Sequence, residues 1–132
     1  MTPGEAAGRV VTDEAPAPAG HYSQGLIRDG VVWIAGQTPR LPDGTRLNDE
    51  PIEVQARQAL ANVDAVARAA GSSLANALQV TVFLTDPEDR FVFDDVWCEF
   101  VSEPFPTRSV VQSDLPGFAV EILAVCAITK DV

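Results

Sequence analysis

The pattern of apolar and polar positions changes period along the chain, and the changes mark its elements. Arg9 to Thr12 is a short apolar piece suited to an edge strand, closed by Pro16 and Pro18. Tyr22 to Arg28 alternates with period two, Asp29-Gly30 is a hairpin turn signal, and Val31 to Ala35 is a second strand. Leu41 to Asn48, with Pro42-Asp43-Gly44, reads as a loop or second small turn. The period then lengthens to that of a helix. Ile52, Ala56, Ala59, Val63, Val66 and Ala70 recur at threes and fours, while Glu53, Arg57, Asp64 and Arg68 occupy the rest. Asn48 or Asp49 is available as a cap, Pro51 suits the first turn and Gly71 is the stop. Leu78 to Leu84 reads as a strand. Asp86-Pro87 opens a second helix whose stripe of Phe93, Val96, Trp97 and Phe100 is read as core, and Pro104 and Pro106 end it. Arg108 to Val111 and Ala119 to Ile128 are the final strands.

The order β-β-β-α-β-α-β-β predicts an α+β architecture, a mixed β-sheet with two helices on one face. At 132 residues the chain supports one core. The expected organisation is a partly ordered N-terminal segment, 1–19, and a single domain, 20–132. From Ala119 to Ile128 nearly every side chain is apolar, which reads as a strand buried on both faces. Two helices cover only one sheet face, so apolar sheet surface is left over for a partner subunit.

Two charges stand out in these last strands. Arg108 opens one, with Val110 on its face and Ser109 and Val111 on the other. Glu121 is the only ionisable residue of the other, and a carboxylate so placed must be paired, protonated or in contact with a polar ligand. An arginine fork binds a small acid through two parallel hydrogen bonds. A glutamate in a semi-apolar cleft can position water as a base or assist a leaving nitrogen as an acid. The same two residues could instead form a structural ion pair.

Composition narrows the range of functions. With 46% hydrophobic and 21% charged residues the chain is globular, and no apolar run approaches the roughly 20 residues of a membrane span. The N-terminus has no basic region followed by an apolar one, so no secretory signal is read and a cytoplasmic location is expected. A formal charge of -10 disfavours nucleic acid. Cys98 and Cys126 are expected to be reduced, mostly buried thiols, and neither they nor the lone His21 supply a metal framework. Lys130 at the C-terminus is a poor candidate for a Schiff base, and Gly30, Gly36 and Gly44 lack phosphate-loop spacing.

The run Pro106-Thr107-Arg108, then Leu115-Pro116, then Val120-Glu121-Ile122 resembles the signature of the RidA (YjgF) family. HYSQG at His21 to Gly25 and WIAGQTP at Trp33 to Pro39 resemble two further family segments, in matching order and spacing. The resemblance extends from about residue 20 to the C-terminus and implies a chorismate-mutase-like sheet, assembled as a homotrimer with active sites between subunits. It also implies cofactor-independent hydrolysis of 2-imino acids and their enamine tautomers to 2-keto acids and ammonia. Carried over, Arg108 holds the substrate carboxylate and Glu121 manages the water. The backbones of Gly36 and Val110 contact the substrate, and Tyr22 lines the cleft. Val110 and Ala35 stand where the family often has Cys and Ser, and His21 where proline is common before Tyr22. These departures keep open a pathway-specific relative that takes a larger imine. Two different functions stay open beside it, a non-enzymatic small-acid binding or regulatory module and a ribonuclease, and the acidity weighs against the ribonuclease.

Overall fold

The computed structural model describes residues 8–129. Met1–Ala7 and Lys130–Val132 lie outside them, so the part of the 1–19 segment before Gly8 and the placement of Lys130 are not described. The elements are β1 (Gly8–Val10), β2 (Gly25–Arg28), β3 (Val31–Gln37), α1 (Ile52–Ala69), β4 (Ala77–Leu84), α2 (Arg90–Trp97), β5 (Thr107–Gln112) and β6 (Val120–Ala127). The strands form one sheet in the order β1-β2-β3-β6-β4-β5. The β4–β5 pair is parallel, joined through α2, and the other pairs are antiparallel. This is the α+β mixed sheet and element order expected from the pattern.

Each boundary has a local cause. Asp29 (φ 52) and Gly30 (φ 77) both adopt positive φ, the geometry of the two-residue turn that matches strand twist, and β2 and β3 pair across it. Helix α1 begins after Pro51, but no side chain caps it, contrary to the expectation for Asn48 or Asp49. Gln55 holds the approach to the helix instead, its Nε2 donating to the carbonyls of Asn48 (3.2 Å) and Glu50 (2.8 Å). Asp86 caps a short 3-10 turn, Pro87–Asp89, by accepting from the Glu88 N–H, and α2 follows.

The core lies between the helices and one sheet face. Leu60, Val63 and Val66 of α1 and Phe93 and Trp97 of α2 join Val32, Val80, Val82, Val120 and Ile122 in a single cluster. Burial of each such side chain is worth about 1.5–3 kcal/mol. Strand β6 corrects the expectation of burial on both faces. Val120, Ile122, Ala124 and Cys126 are buried, whereas Glu121, Leu123, Val125 and Ala127 on the other face are half-buried. Hydropathy reports what a side chain avoids, not whether its own chain covers it. The same open face exposes Leu26 and Trp33. Cys98 is also a correction: it is exposed, and only Cys126 is buried.

Candidate active site

Glu121 sits in the middle of the sheet, between β3 and β4. Strand β3 approaches it irregularly: Ile34 pairs with Ala124 and Gln37 with Ile122, so Ala35 and Gly36 together oppose Leu123. This one-residue bulge turns Gln37 inward and brings Gly36 beside the Glu121 carboxyl. A β-carbon at residue 36 would collide with Glu121 Oε2 and lie 3.2 Å from its carboxyl carbon. Glycine is therefore required for contact rather than for its torsion.

The cleft around them has a volume of about 160 Å³, and Tyr22, Gln24, Gln37, Arg40, Arg46 and Phe118 are among its walls. Among the described residues no donor bonds the Glu121 carboxylate, and burial pushes its pKa above the usual carboxylate range. Tyr22, expected in a strand, lies in the bend before β2, where its hydroxyl accepts from the Ala19 N–H at 3.1 Å. Gln24 fastens the neighbouring wall. Its Oε1 accepts from the Thr12 N–H, and its Nε2 donates to the Thr12 and Pro16 carbonyls.

Arg108 is elsewhere. It pairs with Val80 on β4, whose side chain faces the core, whereas Glu121 pairs with Phe83, three residues along and on the opposite face. Two strand spacings across and three residues along separate the backbones by roughly 14 Å. The structure therefore excludes an Arg108–Glu121 ion pair within one chain. Arg108 Nη1 instead donates to Asp94 Oδ1 at 2.7 Å. Its guanidinium lies 5.1 Å from the Trp97 ring centre and 5.9 Å from that of Phe93, within cation–π range. Phe105 and Pro106 complete a second cleft around it. Val110 shares this face of β5, an edge strand with one row of backbone groups unpaired by the sheet.

The expected site residues thus divide into two groups: Tyr22, Gly36 and Glu121 in one cleft, Arg108 and Val110 at the sheet edge. The sequence reading missed Asp94, Arg40, Arg46 and the buried Gln24 and Asn62. Their positions follow from tertiary placement, and periodicity carries no trace of them. Among the described residues no group of three or more His, Cys, Asp and Glu side chains is arranged to hold a metal ion.

A family model described as Endoribonuclease L-PSP matches residues 12–128, nearly the whole chain. The chain belongs to the RidA family. A 2-iminobutanoate/2-iminopropanoate deaminase of Bos taurus is 35% identical over 118 residues, covering 88% of this chain and 86% of its own length. The crystal structure of RidA from an Antarctic Psychrobacter bacterium superposes with a TM-score of 0.86 at 38% identity, covering 92% of this chain and 99% of that one. E. coli TdcF, crystallised with bound serine, has a TM-score of 0.85 at 32% identity, with coverage of 92% and 99%. The RidA fold is thus shared across the sheet and both helices. Imine deamination is an activity named within the family.

Proposed function

We propose that the protein hydrolyses small 2-imino acids to 2-keto acids and ammonia, working as a homotrimer in which Arg108 of one subunit completes the Glu121 cleft of its neighbour. The observation that carries this reading is the Glu121 carboxyl itself: half-buried, without a protein donor among the described residues, with a raised pKa, and held against the Gly36 backbone in a cleft. Arg108 lies too far away on the opposite face to serve that cleft in its own chain. The open sheet face carrying Trp33, Leu123 and Val125 offers an apolar surface for assembly. The serine bound in TdcF supports a ligand that pairs an amino group with a carboxylate.

The reaction balances with water alone. The substrate carboxylate lies on the Arg108 fork, which remains charged at any working pH. The Gly36 and Val110 backbones hold the other polar groups, and Tyr22 closes the cleft. Glu121 as carboxylate takes a proton from water as its oxygen bonds to the imine carbon. Glu121 as carboxylic acid then returns that proton to nitrogen, giving a carbinolamine. As carboxylate again it takes the new hydroxyl's proton and passes it to nitrogen as the carbon–nitrogen bond breaks, so that ammonia leaves and the keto group forms. A carboxyl whose pKa is raised by burial is a stronger base as carboxylate than a solvated one, which suits a group that must both accept and donate a proton.

The test is ammonia release from imino acids generated in situ by an amino-acid oxidase. Wild type should accelerate it, and Arg108→Ala and Glu121→Gln should each abolish the acceleration. Mixed trimers reassembled from the two inactive variants should recover part of the activity, because some interfaces then pair an intact Arg108 with an intact Glu121. No recovery in verified mixed trimers would exclude the shared site.

A further inference from the structure

Only one buried side-chain polar atom among the described residues lacks a hydrogen-bond partner, and it is Arg40 Nε. Buried donors are nearly always satisfied, so such an exception calls for a ligand, a water or an ion. Arg40 lines the Glu121 cleft. Its Nη2 donates to the Ala17 carbonyl at 2.8 Å, which leaves the guanidinium charge uncompensated. Arg46 lines the same cleft and is bridged to Arg40 in antiparallel register. Directly opposed residues of such a pair share a face, and like charges placed there destabilise one another unless an anion lies between them.

The bridge is firmly held. Leu41 N–H donates to the Thr45 carbonyl and Leu47 N–H to the Pro39 carbonyl. The Asn62 amide, on the buried face of α1, donates to the carbonyls of Thr38 and Arg40 at 3.2 and 2.8 Å. Neither arginine is ion-paired among the described residues, and Asp43 at the tip of the turn accepts from its own Thr45 N–H instead. In a chain of net charge -10, two adjacent uncompensated arginines at a cleft form a local anion site.

We propose that Arg40 and Arg46 hold a second carboxylate, so that the preferred substrates are 2-imino acids whose side chain ends in an acid group. The inference rests on the imine-hydrolysing reading of the same cleft. The 2-carboxylate lies toward the neighbour's Arg108, the imine carbon beside Glu121, and the side-chain carboxylate between the paired guanidinium groups. A cavity of about 150 Å³ takes a benzene-sized ligand, so the 160 Å³ cleft suits a four- or five-carbon acid.

The experiment compares imines made in situ by oxidases from aspartate and glutamate with those from alanine and 2-aminobutanoate. Imine loss is followed by semicarbazide trapping for wild type, Arg40→Met, Arg46→Met and Arg40→Lys. The expected result is a ratio of kcat/KM, dicarboxylic over neutral, of about ten or more in wild type, falling about tenfold in either Met variant and partly kept by Lys. Turnover of neutral imines with a ratio near one, or a ratio unmoved by the Met variants, overturns the inference and leaves the deaminase reading intact. Turnover of neither class overturns both. Should Arg40→Met fail to fold, Arg46, which is exposed, carries the same test.

Discussion

The Glu121 carboxyl occupies the space that a β-carbon on residue 36 would fill. The colliding atom is the end of a flexible side chain, so an added methyl would displace the carboxyl rather than break the sheet. Gly36→Ala should therefore leave the denaturation midpoint almost unchanged while lowering kcat/KM about 100-fold, the scale of a catalytic group misplaced by an ångström. Urea unfolding and ammonia release measured on the same preparation would check this.

Desolvation raises the Glu121 pKa above 4.5, so the folded chain holds this proton more tightly than the unfolded chain. The stability from this group is fully present below the unfolded pKa and is lost as pH rises through the folded one. Glu121→Gln removes the penalty of the buried charge. Its melting temperature should exceed that of wild type at about pH 8, and the difference should close at about pH 4. Thermal scans across that window test the sign, and a difference that grows toward acid would contradict it.

Asp94 takes one N–H of Arg108 at 2.7 Å and fixes the guanidinium over Trp97. Asp94→Ala should leave the charge in place but free its orientation, raising KM several-fold with a smaller change in kcat. Arg108→Lys keeps the charge and loses the fork, which should cost about 10- to 100-fold in kcat/KM. Steady-state kinetics on the two variants separates orientation from charge.

Asn62 is almost fully buried, and its amide holds the Thr38 and Arg40 carbonyls while its Oδ1 accepts from Gln58 at 2.9 Å. Asn62→Ala leaves those carbonyls without their donor and should destabilise the fold by about 1–3 kcal/mol. Chemical denaturation gives the magnitude. The same variant should loosen the Arg40–Arg46 bridge, seen as faster amide exchange at Leu41 and Leu47.

Repeating chemistry made much of the fold readable in one dimension. The three-to-four spacing from Ile52 to Ala70 shows α1 because a helix returns one face every 3.6 residues. Asp29-Gly30 shows the hairpin because its torsions suit few other residue pairs. Arg108 and Glu121 were legible as charges that apolar strands do not hold without a reason. The bulge at Ala35-Gly36 was less so: a glycine within a strand hints at one, but only pairing with β6 fixes where the extra residue falls.

Local periodicity and motif spacing are properties of the chain alone, and they carry the elements, their order, the family and the two anomalous charges. Which charges meet depends on the folded sheet. The strand order β6-β4-β5 and the alternation of faces put Glu121 beside Gly36 and sent Arg108 to Asp94 and Trp97. It also left one face of β6 half-covered and brought Arg40 and Arg46 to the cleft. A side chain's face depends on strand register, and its neighbours depend on strands distant in sequence, so neither is encoded by the spacing of residues along a single segment.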